Sequence, residues 1–178
     1  MLFDTPAKLQ DGRYFLKITN DDGSRVMHQM NTVQLYTDNI IPQDKTLFSD
    51  IDEAIVTQAK ESKVAWFGKE ISDETVVSAY QGSMNLKGEV AVSFATIKGQ
   101  VVTTCYDTQR KTVDFSSFAP GTHVDVLLEL VGLVFTKRAF EPVWKMIQVR
   151  VKSAPKPRFP REYLFRDDVE PEEEEMDL

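Results

Sequence analysis

The segment Val143-Trp144-Lys145-Met146-Ile147-Gln148-Val149-Arg150-Val151-Lys152 interleaves branched apolar residues with one indole, one amide and three cations. In an extended strand successive side chains point to opposite faces. Unbroken alternation places Val143, Lys145, Ile147, Val149 and Val151 toward a core, and Trp144, Met146, Gln148, Arg150 and Lys152 on the other face. That second set combines a flat ring with cations and an amide. Unpaired bases stack on such rings while cations follow the phosphates. An equally simple reading of this strand is an amphipathic outer face whose indole lies under a C-terminal strap.

Aromatic residues and bases are neighbours in three more places. Phe135-Thr136-Lys137-Arg138-Ala139-Phe140 sets Lys137 and Arg138 between two rings, and Lys63-Val64-Ala65-Trp66-Phe67-Gly68-Lys69 brings Trp66 close to Lys69. Tyr106 precedes Arg110-Lys111. One such pair is ordinary on any surface; three of them plus the strand face point the same way. The candidate nucleic-acid contacts are therefore Trp144, Arg150, Lys152, Lys137, Arg138, Trp66, Lys69, Arg110 and Lys111, while Phe67, Phe135 and Phe140 read as core.

Other chemistries find no support in these residues. The two histidines, His28 and His123, form no H-x-x-H or H-E-x-x-H pair, and no phosphate-loop, G-x-G-x-x-G or G-x-S-x-G motif occurs. The single cysteine, Cys105, excludes an intramolecular disulfide and a multi-thiolate metal site, and its place in an alternating strand suits a buried structural thiol. No catalytic residue, metal ligand or cofactor is expected, and the chain reads as non-enzymatic.

The chain has 178 residues, 21 Lys+Arg against 28 Asp+Glu, and 42% hydrophobic residues, a globular composition that suits one domain. Its charge is unevenly spread. Lys137 to Arg166 holds nine bases and two acids, whereas Asp167 to Leu178 holds eight acids and no base. Such asymmetry suggests polyanion binding combined with an interaction tail, or else a solvated basic surface with a solubilising tail. The tail's end, Glu172-Glu173-Glu174-Glu175-Met176-Asp177-Leu178, joins acids to apolar residues and could dock in a basic, partly apolar groove on a partner, or fold back on its own basic site. No secretory signal and no run of 18 apolar residues occurs, so an intracellular protein without membrane contact is expected.

The elements that would position these residues are mostly strands. Gly12 to Ile18 and Val26 to Tyr36, joined by Asn20-Asp21-Asp22-Gly23, suggest a hairpin. A helix is expected from a Ser49 or Asp50 cap to about Ser62, with Ile51, Ala54, Ile55 and Ala59 on one face. A second would start at a Ser72 cap, use Val76, Val77 and Tyr80 as its apolar side, and stop at Gly82. From Leu86 the period becomes two: Glu89 to Phe94, a Lys98-Gly99 turn, Val101 to Tyr106, Thr112 to Phe115, His123 to Phe135 and Val143 to Lys152. This order predicts a mainly β fold with accessory helices: a domain over 1–152 with a helical insertion at about 49–82. A Pro-rich basic strap at 153–166 and a disordered acidic tail at 167–178 would follow.

Trp66-Phe67-Gly68-Lys69 with the Ser72 helix, Pro120-Gly121-Thr122 through Leu130-Val131-Gly132-Leu133-Val134-Phe135, Trp144 to Val149 and the acidic terminus, in this order, resemble the single-stranded DNA-binding proteins of nucleocytoplasmic large DNA viruses. That group is related to the compact proteins of podovirus-type phages. The resemblance covers roughly residues 60–178. It implies an OB-fold, a partly open antiparallel β-barrel, with Trp144, Arg150 and Lys152 in the DNA groove. It also implies that residues 167–178 recruit replication proteins such as a polymerase or helicase, and screen the groove when unengaged. The phage relatives end in an aromatic residue where this chain has Leu178. The location implied is the host cytoplasm, within its viral factory, or the nucleus; a homodimer is compatible. The rival readings are an acidic-tailed chaperone for basic proteins and a structural virion protein.

Overall fold

The computed structural model describes residues 1–153, so the acidic tail and all of the Pro-rich strap except Ser153 lie outside the described residues. The N-terminal strands are β1 (Leu2–Phe3), β2 (Ala7–Lys8), β3 (Tyr14–Thr19), β4 (Val26–Leu35) and β5 (Asn39–Pro42). Three helices follow: α1 (Thr46–Glu61), α2 (Lys63–Phe67) and α3 (Asp73–Ala79). Then come β6 (Val90–Ala91), β7 (Ser93–Phe94), β8 (Thr96–Ile97), β9 (Gln100–Val101), β10 (Thr104–Tyr106), β11 (Thr112–Val113), β12 (Thr122–Phe135) and β13 (Phe140–Ser153). The architecture is mainly β with accessory helices, as expected, and its sheets do not close into a barrel. No helix among the described residues is long and apolar enough to cross a membrane.

The spine is the antiparallel pair β12–β13, 14 residues each. Val and Leu dominate β12, while β13 spaces Val and Ile among aromatic and polar residues, as a pleated and half-buried surface favours. Thr136 closes the hairpin: its N–H donates to the Ala139 carbonyl at 2.8 Å, and its hydroxyl oxygen accepts the Ala139 N–H at 3.1 Å.

The expected N-terminal hairpin does not form. β3 and β4 do not pair with each other; both lie antiparallel along the same edge of β12, Lys17 opposite Gly132 and Val26 opposite Leu130. Residues 20–25 therefore loop out of one interrupted strand instead of reversing the chain. The Asn-Asp-Gly signal correctly marked a loop, with Asn20 N–H donating to the Ser24 carbonyl at 2.9 Å. Its direction was set by the long free edge that β12 offers.

A similar interruption occurs on the far edge of β13. β7 and β10 both run parallel to it, Phe94 opposite Met146 and Thr104 opposite Gln148. Opposite β12 the ladder passes from Leu127–Gln148 to Leu128–Met146, so Ile147 is an extra residue, a β-bulge. Val131 is the corresponding extra residue on β12, between Leu130–Trp144 and Gly132–Val143.

One sheet face is closed by the helices. α1 buries Phe48, Ile51, Ile55 and Ala59. It starts three residues before Ser49, where Asp44 Oδ1 accepts the Thr46 N–H at 2.9 Å, and Ala54 is only half-buried. α3 has the expected Ser72 cap, whose Oγ accepts the Thr75 N–H at 3.1 Å, but ends at Ala79; Val77 points to solvent and is 51% exposed. The short α2, not anticipated, is stopped by Gly68 at φ 70°.

Beside the Val131 bulge β3 crowds so near that a Cβ on Gly132 would sit 2.0 Å from the Leu16 carbonyl oxygen. Gly132→Ala should therefore lower the free energy of unfolding by at least ~1–3 kcal/mol, read from urea denaturation; an unchanged midpoint would contradict this packing. His28, on β4, lies against Trp144 with centroids 6.3 Å apart, and its buried Nε2 has no partner among the described residues. Burial holds its pKa below the ordinary 6.5, so the folded state resists protonation. Its contribution is complete above about pH 6.5 and is lost as pH falls through the lower folded-state value. The urea midpoint should drop between pH 7.5 and pH 5, and a His28→Gln variant should show a smaller drop.

Candidate nucleic-acid interface

The Ile147 bulge decides which side chains face water. Ahead of it, even-numbered residues of β13 point to the core; behind it, odd-numbered ones do. Trp144 and Met146 are consequently interior, 2% and 0% exposed, on the same side as Val149. The unbroken alternation expected for this strand fails here, and Trp144 is not a stacking platform. Among the described residues α1 covers it: Phe48 meets the indole edge-on at 5.2 Å. Trp144 Nε1–H donates to Ser83 Oγ at 3.1 Å, and Ser83 donates in turn to Asp52 Oδ1 at 2.6 Å. Tyr80 also donates to Asp52, at 2.7 Å. Burial and the adjacent Asp52 carboxylate push the Tyr80 phenol far above its ordinary range.

The phase change leaves Lys145, Gln148, Arg150 and Lys152 directed away from the core. Arg150 and Lys152 converge on Asp125 of β12, at 2.7 and 3.5 Å, as the sequence grouped them. Asp125 is 7% exposed although it faces outward. It also accepts the N–H of Thr32 at 3.0 Å, while Lys152 donates to the Thr32 hydroxyl at 2.9 Å. Thr32 sits at φ 55°, a left-handed conformation unfavourable for a β-branched residue, within a bulge of β4. Burial pushes the Asp125 carboxyl up, but the Arg150 guanidinium, the Thr32 N–H and Lys152 outweigh it and hold it below the usual carboxylate range.

Beside this cluster opens a groove of about 280 Å3, lined by Gln29, Tyr106, Arg110, Leu127, Gln148 and Arg150 among others. Arg110 reaches it from the tight β10–β11 turn, where it takes φ 63° and Asp107 Oδ1 accepts the N–H groups of Gln109 and Lys111. Tyr106, opposite Arg150 in register, is the aromatic residue of this lining. Gln148 also lines an adjoining hollow of about 390 Å3, bordered by Arg25 and Lys145. Lys111 is exposed on the same turn but is not in the lining.

The other predicted residues assemble elsewhere. Trp66, Lys69, Lys137 and Arg138 line a cleft of about 540 Å3 between α2 and the β12–β13 turn, sharing no lining residue with the groove. The three cations are exposed. Trp66 is 8% exposed, packed on Phe3 at 5.6 Å and Phe135 at 6.0 Å, so it too offers no free face for stacking. Phe135 and Phe140 are buried and stacked at 5.3 Å, as core residues should be. Cys105 is buried opposite Val149, and burial raises its thiol pKa.

Sequence reasoning missed Arg25, Gln29, Asp125 and Lys145. Unbroken alternation puts Lys145 on the core face, because a bulge has no signature in the sequence of such a strand. Asp125 alone carried a signal: an acid between Val124 and Val126 in a strand otherwise rich in buried residues.

Among curated proteins none matches the chain. Two solved structures align with most of it. A single-stranded DNA-binding protein from bacteriophage Enc34 has a TM-score of 0.48 at 12% identity, covering 92% of this chain and 96% of that one. The same phage's single-stranded DNA-binding protein in complex with ssDNA has a TM-score of 0.45 at 11% identity, covering 87% and 98%. A family model matches residues 26–167, and the chain belongs to that family, described as a family of unknown function (DUF5871).

Proposed function

We propose that this protein binds single-stranded DNA without enzymatic action, along the outward face of the sheet. One observation carries the reading: Arg110 and Arg150, from separate elements, meet Tyr106 and two amides in a single open groove, with Lys152 beside it on Asp125. Cations spaced along a groove hold a phosphate backbone, and releasing its condensed counterions makes the binding salt-dependent. The amides and Tyr106 are suited to the edges and faces of unpaired bases. Asp125 keeps Arg150 and Lys152 in place before a ligand arrives, which reduces the side-chain entropy lost on binding.

The role we assign is coating single strands during replication, repair or recombination of a viral genome, in host cytoplasm or nucleus. Residues 167–178 would dock on replication proteins and compete with phosphate when free. Their eight acids and terminal Met176-Asp177-Leu178 support that reading.

The test is fluorescence anisotropy with a dT oligomer at several salt concentrations. Replacing Arg110 and Arg150 together by Ala should weaken binding, and the slope of log affinity on log salt should shrink by about 0.7 per lost contact. Trp144→Phe should bind as wild type while losing roughly 1 kcal/mol of stability, because it removes a buried hydrogen bond and not a contact to DNA. Wild-type affinity and slope in the double arginine variant would refute the groove.

A further inference from the structure

Where β7 gives way to β10, β13 advances two residues, from Met146 to Gln148, while the opposing chain advances ten, from Phe94 to Thr104. The surplus, residues 95–103, forms a hairpin of its own. β8 pairs only with β9, around Lys98 and Gly99 at φ 50° and 80°. The root is tied to the Met146 carbonyl, which accepts from Thr103 Oγ1 at 2.6 Å and from the Ala95 N–H at 3.3 Å; Thr103 Oγ1 also accepts the Ala95 N–H at 2.8 Å. Beyond the root the hairpin is aliphatic and in water, with Ile97 62%, Val101 60% and Val102 42% exposed.

Exposed aliphatics on a projecting hairpin cost solvation and invite a partner. Two of them have a definite place. Ile97 and Val102 line the 390 Å3 hollow together with Val131 and Ile147 of the sheet and with Arg25 and Lys145. The acid there, Glu129, is engaged in a two-pronged pair by Arg25. Through Gln148 the hollow continues into the groove of Arg110 and Arg150. Apolar walls beside cations match a ligand that has charged links and flat apolar faces at alternating positions.

We infer that the 95–103 hairpin is a base-contacting flap: Ile97 and Val102 pack on unpaired nucleobases of a strand whose phosphates follow Lys145, Arg150 and Arg110. This rests on the single-stranded DNA reading above. It assigns the base contacts to aliphatic side chains of this hairpin, with Tyr106 at the other end of the groove. Sequence tolerance follows, since every base presents a flat face and aliphatic packing reads no edge.

The experiment compares the full chain with an Ile97→Ser/Val102→Ser double variant and a Val101→Ser control, the last outside the hollow's lining. The probes are a dT oligomer and an abasic oligomer of equal length, which keeps the phosphates and lacks the bases. The double variant should lose roughly five- to twentyfold on dT, in proportion to the apolar area removed, and nothing on the abasic strand. The control should match wild type on both. Circular dichroism confirms that each variant is folded, which the exposure of these side chains leads one to expect. Unchanged dT binding, or equal losses on both oligomers, would overturn the flap while leaving the cation groove standing. A shift in oligomeric state by sedimentation with unaltered DNA binding would assign the hairpin to a second copy instead. Failure of the wild type to retain either oligomer would remove the single-stranded DNA reading and the flap with it.

Discussion

The ladder between β12 and β13 carries almost every other feature of this molecule, and the bulges at Ile147 and Val131, two of its three register shifts, determine what that ladder can do. A bulge adds one residue to one strand and so inverts the facing of everything beyond it. At Ile147 this turns the first half of β13 inward with Trp144 and Met146, while the second half keeps Val149 inward and sets Arg150 and Lys152 outside. The same strand can therefore anchor the helices at one end and present charge at the other. The Val131 bulge brings Gly132 against β3, where the absence of a side chain is required by a backbone oxygen.

The helical layer is joined to the sheet through polar as well as apolar contacts. Phe48, Ile51 and Ile55 supply the buried area, and the Asp52–Ser83–Trp144 chain supplies direction. Each buried donor in that chain has an acceptor, so the indole can be interior without an unsatisfied N–H. Tyr80, donating to the same carboxylate, ties the end of α3 to α1. Residues 80–84 are thus held by side chains together with two isolated bridges, Tyr80 beside Phe140 and Met84 opposite Val90.

On the opposite face the organising group is a carboxylate nearly out of water. Asp125 would be costly alone; with Arg150, Lys152 and the Thr32 N–H it is satisfied, and in return it fixes two long cationic side chains. The strained left-handed Thr32 belongs to this arrangement, since its N–H reaches Asp125 only where β4 bulges. Arranged cations at low entropy and a nearby row of aliphatic side chains give this face its character.

Much of this was legible in the chain. The strand-rich C-terminal half, the Ser72 cap, the burial of Phe135, Phe140 and Cys105, and the nearness of Tyr106 to Arg110 all follow from periodicity and turn chemistry, which are local. The failures in the sheet have one origin. The hairpin proposed for residues 12–36, the outward Trp144, and Lys145 on the core face each required knowing which strand lies alongside. A loop signal says that the chain leaves a strand, not whether it reverses or rejoins the same line. An alternating pattern says that two faces differ, not where an extra residue will exchange them. Residue types and their order settled a β-rich protein with a basic region followed by an acidic end. Tertiary pairing alone chose the members of the groove, because facing in a sheet depends on register with a neighbour and a single inserted residue reverses it.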